Sequence, residues 1–349
     1  MKKIVFVILT FLAGIIAVDA CTSAIVSGRL TKSGTPILWK NRDTDFEDNF
    51  VATVKPSNPG DIEYVALFNA GDSLLADAWI GVNEAGFAIM NTASYNLAPD
   101  TAVYKDREGA VMSEALRRCH TVADFEQLLS DLPKPLGVQA NFGVIDAAGA
   151  GAYFETDDYT WKKYDLAHES GGIILRTNYS YSGEADAGFG YIREETARQL
   201  LMPYLESGEK ITPYVFTDGL SRSFYHSLLG KDMLEDGGEW IIDQDFIPRR
   251  STSASVAIGY DADGKPVMWT ALGYPPCSYT REVTVNSVPA DMQPDSKTWR
   301  SEFCDEVNRR KAEVFSIKRG SGSHYINVSR LRHYNELFRH KSLGGSDLK

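Results

Sequence analysis

Four stretches of this chain repeat one pattern, an apolar run, a tight turn ending in glycine, and a second apolar run. Residues 22–27 and 37–41 flank Lys32-Ser33-Gly34, and residues 79–82 and 87–90 flank Asn83-Glu84-Ala85-Gly86. Residues 141–145 and 152–155 flank Asp146-Ala147-Ala148-Gly149, and residues 255–260 and 266–271 flank Asp261-Ala262-Asp263-Gly264. Such turns close antiparallel hairpins, because glycine reaches the positive φ values that match strand twist. Helical periodicity appears between and after them. Residues 111–132 carry Leu116, Phe125, Leu128 and Leu129 on one face, and residues 190–205, 298–315 and 329–340 read as further helices. Hairpins near both ends with helices between and after them define an α+β layered domain. No Pro/Gly/Ser-rich linker divides the chain, so one domain is expected, with residues 318–323 as a surface turn before the last helix.

Composition narrows the function. Of 349 residues, 43% are hydrophobic, which is ample for a packed core. The formal charge of −11 argues against nucleic-acid binding, which needs a basic face to displace counterions. Four cysteines are too few for a disulfide scaffold at this length.

The first twenty residues read as an export signal rather than as fold. Lys2 and Lys3 precede an apolar run over residues 4–18, followed by Asp19 and Ala20. A transmembrane span needs roughly 20 apolar residues, and no later stretch is long and apolar enough. Cleavage after Ala20 leaves residues 21–349 as the mature, periplasmic or secreted domain, with a net charge of −12 and Cys21 first. A lipobox reading, in which Cys21 is lipidated and anchors the protein, competes with plain cleavage; Asp19 fits it poorly.

A cysteine at a free N-terminus carries its own base. The thiolate is the nucleophile, and the α-amine, with a pKa of roughly 8, can accept the thiol proton. None of the six histidines stands in a recognisable catalytic setting: His120 and His226 fall in helical stretches, and His324, His333 and His340 in the C-terminal segment. No His/Cys metal spacing is present, and the chemistry requires no metal or organic cofactor. Asn41-Arg42-Asp43-Thr44-Asp45 ends the strand expected to pair with the Cys21 strand. The hairpin would bring Arg42 and Asp45 towards Cys21, a guanidinium to lower the thiol pKa and a carboxylate to hold the amine.

These residues resemble a known family. Cys21-Thr22-Ser23 followed by Asn41-Arg42-Asp43-Thr44-Asp45 is similar to the opening of the N-terminal-nucleophile cysteine hydrolases, which include choloylglycine hydrolases, penicillin V acylases and acyl-coenzyme A:6-aminopenicillanic acid acyltransferase. Gly81-Val82-Asn83-Glu84-Ala85-Gly86-Phe87-Ala88, running to Asn91, resembles a second family motif, and Leu175-Arg176-Thr177-Asn178 a third. Arg193, in Gly188-Phe189-Gly190-Tyr191-Ile192-Arg193, resembles the family's last arginine, and Pro275-Pro276-Cys277 looks like the acyltransferase branch. The resemblance implies a four-layer αββα sandwich. It makes Cys21 the nucleophile, Arg42 and Asp45 the Arg-x-x-Asp pair, Asn91 and Asn178 the oxyanion-hole asparagines, and Arg193 the last arginine. The spacing from Asn178 to Arg193 is shorter than in bile salt hydrolases and the hairpin between Cys21 and Arg42 longer, which points towards the acyltransferase-like branch.

The expected activity is hydrolysis of a linear, non-peptide amide C–N bond in a small N-acyl substrate, through a thioester on Cys21, with acyl transfer to an amine as a second outcome. A dipeptidase-like enzyme using the same cysteine and a lipid-anchored binding protein are the alternatives. Cys119, Cys277 and Cys304 are expected to be packed thiols or to include one disulfide. A homo-oligomer is left open.

Overall fold

The computed structural model describes residues 21–98, 103, 105–235, 238–319 and 322–342; the expected export signal lies outside the described residues. The chain first lays down β1 (Thr22–Val26), β2 (Ile37–Asp43), β3 (Asn49–Val54), β4 (Tyr64–Asn69), β5 (Ile80–Asn83) and β6 (Ala88–Ala93), then α1 (Glu108–Arg118) and α2 (Val122–Asp131). Strands β7 (Ala140–Ile145), β8 (Gly151–Thr156), β9 (Trp161–Asp165) and β10 (Ile173–Arg176) lead into α3 (Tyr191–Ser207). Three short strands, β11 (Tyr225–His226), β12 (Lys231–Asp232) and β13 (Trp240–Ile242), precede β14 (Thr252–Tyr260), β15 (Pro266–Leu272) and β16 (Arg281–Val283). Helix α4 (Glu302–Val314), the hairpin β17 (Ile317–Arg319) and β18 (Gly322–Asn327), and α5 (Val328–Ser342) complete it.

Two antiparallel sheets carry the architecture. One has six strands in the order β10-β1-β2-β14-β15-β16, and the other runs β3 to β9 in sequence order. All four hairpins expected from the turn residues are paired strands. The sheets meet over Ile25, Leu38, Val51, Val65, Met90 and Tyr153. Helices α1 and α2 cover the outer face of the seven-stranded sheet through Leu116, Phe125 and Leu129. Helix α3 covers the six-stranded sheet, with Ala197 and Leu201 against Ala24, Val26 and Trp39. The result is an α+β sandwich of four layers, αββα.

Three local expectations need correction. The single helix over residues 111–132 is two helices, because Thr121 starts α2 with a capping box: its side chain accepts from Asp124 N, and the Asp124 carboxylate accepts from Thr121 N and His120 N. His120 therefore lies between helices, and His226 lies on β11 rather than in a helix. The stretch 318–323 belongs to the β17–β18 hairpin rather than to a simple turn, with its tip, residues 320 and 321, outside the described residues.

The second sequence motif is an anchor for this layering. Asn83 is fully buried at the β5–β6 turn; its Oδ1 accepts from Phe87 N at 3.0 Å. Its Nδ2 donates to the carbonyls of Leu116 and Cys119 at 2.9 and 2.8 Å, satisfying acceptors at the end of α1 that have no intrahelical partner.

Candidate active site

Alternation along β1 and β2 decides which side chains enter the space between the sheets. Ala24, Val26, Ile37 and Trp39 face α3, whereas Ile25 and Leu38 face the inter-sheet core. By the same period Ser23 on β1 and Cys21 just before it, and Lys40 and Arg42 on β2, turn inward. Tyr153 of the opposite sheet confirms this by donating to Ser23 Oγ at 2.9 Å. The register pairs Ser23 with Lys40 on one side and with Arg176 on the other. One step along, Cys21 falls between Arg42 and the Thr177-Asn178 segment that leaves β10.

Cys21 is 5% exposed, and its Sγ lies 3.7 Å from the carbonyl oxygen of Asp43, to which it donates. Arg193, in the first turn of α3, reaches across the sheet to it. Its Nη1 donates to Cys21 O at 2.5 Å and to Thr22 Oγ1 at 2.9 Å, and its Nη2 donates to Asn178 Oδ1 at 2.8 Å. One buried guanidinium thus ties the cysteine to the asparagine. Burial pushes the Arg193 pKa down to about 9, Arg249 adds to the fall, and Asp43, Cys21 and Asp245 oppose it, so the group stays charged at neutral pH. Gly190 permits this approach: it has φ +94°, and a Cβ there would stand 2.4 Å from Arg193 Nη2 and 2.7 Å from Thr177 Oγ1.

Asn178 is fully buried, which leaves no room for a glycan on the acceptor pattern Asn178-Tyr179-Ser180 in the folded chain. Its Nδ2 donates to Ala93 O at 2.9 Å, joining it to the end of β6. Asn141 fixes the backbone on either side, its Nδ2 donating to Thr177 O at 3.3 Å and to Tyr179 O at 3.1 Å. Asn96 holds the next turn by accepting from Ser180 N at 2.7 Å and donating to Ser180 O and Glu184 O, each at 2.9 Å.

Asn91 and Arg42 stand on the inter-sheet side. Asn91 Oδ1 accepts from Lys40 Nζ at 2.8 Å, and Lys40 also donates to Trp79 O at 3.1 Å. A buried ammonium needs such partners, because stripping its water without replacing the hydrogen bonds costs several kcal/mol. Arg42 donates to the Oδ1 atoms of Asn49 (2.5 Å) and Asn69 (2.8 Å) and to Ser253 Oγ (3.3 Å), with its guanidinium 5.0 Å from the Trp79 ring centroid. It binds β2 to the opposite sheet.

Asp45 is placed elsewhere. It is exposed, because β2 ends at Asp43 and the bond from Thr44 N to Ser251 O (2.9 Å) closes the ladder before the chain turns out to solvent. The carboxylate buried at this end belongs to Asp43. Its Oδ2 accepts from Arg249 Nε at 2.8 Å, and its Oδ1 accepts from Thr252 Oγ1 at 2.6 Å and Asn41 Nδ2 at 3.0 Å. A register shift between Thr252 and Ala254 on β14 accompanies this arrangement. At the Cys21 end the buried carboxylate is therefore Asp43 rather than Asp45, and Lys40, three residues before it, is a second buried cation on β2 beside Arg42. The signal available in the sequence was the continuous apolar run Ile37-Leu38-Trp39. It marks a strand buried on both faces, so Lys40 had to point into protein.

The other cysteines differ in kind. None of the four is in a disulfide, and burial pushes the thiols of Cys119, Cys277 and Cys304 up to about 12. They remain protonated, packed thiols at neutral pH.

No protein-family model and no curated protein matches the chain. Among solved structures, it is similar to the Caenorhabditis elegans ortholog of N-acylethanolamine-hydrolyzing acid amidase, with 14% identity and a TM-score of 0.42 over 68% of this chain and 92% of that one. A variant of conjugated bile acid hydrolase from Clostridium perfringens gives 10% identity and a TM-score of 0.48 over 81% of this chain and 98% of that one. Penicillin V acylase from Agrobacterium tumefaciens gives 14% identity and a TM-score of 0.38 over 77% and 87%. At such identities, what Cys21 does rests on the residues around it.

Proposed function

We propose that this chain is an exported N-terminal-nucleophile amide hydrolase, cleaved before Cys21, that acts on a linear N-acyl amide. The observation that carries this reading is the single Arg193 guanidinium bonded to both Cys21 O and Asn178 Oδ1. It fixes a thiol and an amide donor at one strand end, beside a buried carboxylate.

In the reaction, the Cys21 α-amine takes the thiol proton, and the positive charge of Arg193 favours the thiolate. Sulfur attacks the amide carbonyl, and the oxyanion is stabilised by the Asn178 amide and a backbone N–H. The α-ammonium returns its proton to the leaving amine as the C–N bond breaks, leaving a thioester. Water, deprotonated by the same amine, releases the acid and the thiol; an amine acceptor in its place would give acyl transfer. Asp43, held by Arg249 and Thr252, supplies the carboxylate near the α-ammonium, the role the motif assigned to Asp45. Lys40 orients Asn91.

A panel of bile salt conjugates, penicillin V, acyl-homoserine lactones and dipeptides, scored by amine release, tests the substrate class. Release of amine from an N-acyl amide, with Cys21→Ala at least about 10³-fold slower, is the expected result. Full turnover by Cys21→Ala on every accepted substrate would sink the mechanism. Intact mass of the mature protein decides the anchoring alternative: a bare N-terminal cysteine supports the enzyme, and a diacylglyceryl adduct the lipoprotein.

A further inference from the structure

We propose that Glu194 is a positioning residue for the oxyanion donor: through the hydroxyls of Tyr179 and Tyr181 it sets the angle at which Asn178 meets Arg193. The role rests on the amide-hydrolase reading and adds a residue to it.

The chain leaves β10, runs through Asn178, doubles back and enters α3, where Arg193 stands in the first turn. Bonds at the neck of this loop hold its two ends together. Phe189 pairs with Asn178 in both directions, at 3.2 and 3.3 Å, and Arg193 Nη2 donates to Asn178 Oδ1 at 2.8 Å. A second cross-link runs one residue further along at both ends. Tyr179 follows Asn178, Glu194 follows Arg193, and the Tyr179 hydroxyl donates to Glu194 Oε2. The Tyr181 hydroxyl donates to the other carboxylate oxygen, Oε1, which also takes Arg198 at 2.7 Å. Phenol–carboxylate bonds are charge-assisted and directional, so two of them fix an orientation that packing alone leaves loose.

The phenols are themselves held. The Tyr179 ring centroid lies 4.2 Å from that of Tyr191 and 5.6 Å from that of Tyr181. The Arg176 guanidinium sits 3.8 Å from the Tyr181 centroid. On the side away from α3, the fully buried Glu155 accepts from Tyr181 N, Ser182 N and Arg176 Nε, each at 2.8 Å. Burial and the Glu194 charge push the Tyr181 pKa up to about 12 and raise that of Tyr179 as well, so both phenols remain donors at neutral pH. The loop is thus clamped between Glu155 on β8 and Glu194 on α3, with the Asn178–Arg193 bond beside the clamp.

The test reads the role of Glu194 through Asn178. Glu194→Gln keeps the side-chain size but leaves one acceptor oxygen where the two phenols use two. It is expected to lower kcat of the folded fraction by about 5–20-fold, with KM within about twofold. In an Asn178→Ala background the same substitution should change kcat by less than about twofold, because the group it positions is gone. Tyr179→Phe, which removes only a hydroxyl, should give the same pattern with a loss of about 3–10-fold, and it carries the cycle if Glu194→Gln fails to fold. Equal fold losses in the two backgrounds overturn the proposal, since general loosening of the fold would produce them. An unchanged kcat in the single variants, or an effect confined to KM, overturns it too. If the wild-type protein releases amine from no N-acyl amide, the hydrolase reading fails on its own, and hydrogen exchange decides the clamp. Faster exchange at the Asn178 and Phe189 amides in Tyr179→Phe, relative to the rest of the chain, supports it; no such difference overturns it.

Discussion

Two regions of this molecule are equally buried and chemically opposite. Between the seven-stranded sheet and α1–α2, Phe125 packs against Phe87, Phe142 and Phe154 at centroid distances of 6.3, 5.7 and 5.3 Å. At the Cys21 end of the six-stranded sheet, Lys40, Asn41, Arg42, Asp43, Asn178 and Arg193 are each at most 3% exposed. The first region stabilises by removing apolar surface from water and filling space. The second buries ions, which an apolar replacement of the same shape could match or exceed in stability. A fold that keeps the ions there retains them for something other than stability, and the first turn of α3 shows what that is. Arg193 holds Asn178 and the Cys21 backbone in one geometry.

The comparison breaks most readily under a pair of alanine substitutions. Phe125→Ala is expected to lower unfolding free energy by about 3–5 kcal/mol in urea titration, with kcat of the remaining folded fraction nearly unchanged. Asn178→Ala is expected to lower kcat of the folded fraction by about 10²–10³-fold, in addition to the stability lost with its bonds to Arg193 and Ala93 O. If both variants lost activity and stability in parallel, the two regions would not be functionally distinct. Next in size is Lys40→Met, which removes the donor to Asn91. A drop of about 10–100-fold in kcat with partial recovery in Lys40→Arg is expected in steady-state kinetics; a loss of stability alone, with kcat intact, would reduce Lys40 to packing.

The legibility of the chain followed the same division. The four hairpins were readable because a local signal, glycine after a polar turn between alternating apolar runs, determines them, and the layers then follow from amphipathic faces. The break between α1 and α2 was missed because Leu116 and Phe125 keep helical spacing across a capping box that ends one helix and starts another. At the site, Cys21, Asn178 and Arg193 were marked by motif, and the structure brings them into contact. Lys40 and Asp43 were not, since their partners Asn91, Trp79, Arg249 and Thr252 lie 39 to 209 residues away. A motif spacing that fits two registers is resolved only by where β2 ends, and that depends on its pairing with β14.

The charge cluster also carries a pH signature. Burial raises the Asp243 pKa from its ordinary 3.8 to about 6; bonding from Arg250 N and the charges of Arg249 and His324 oppose the rise, and Asp43 adds to it. The folded state then binds a proton more tightly than the unfolded chain, so the stability from this group is full below about pH 4 and falls as pH rises through about 6. Asp243→Asn is expected to gain about 1–3 kcal/mol relative to wild type on going from pH 4 to pH 7.5, read from urea midpoints at both pH values. A difference between variants that does not change with pH would remove Asp243 from the set of buried charges.

The smallest expected effect is the most discriminating for the site. Asp45 and Asp43 are two residues apart, and only the motif register distinguishes them in the sequence. Asp45 is exposed, so Asp45→Asn should change kcat/KM by less than about twofold, as surface charges in water interact weakly. Asp43→Asn removes the charge beside Arg249 and Arg193 while keeping an acceptor for Thr252. Its cost should fall mainly on kcat, and the acid limb of the pH profile should move to lower pH, because an α-ammonium without a nearby carboxylate loses its proton more readily. Equal losses at the two positions would mean that the chain turns back over Cys21 after Thr44. An effect at Asp45 alone would restore the Arg42–Asp45 register and leave the Arg249–Asp43 pair as a strut of the fold.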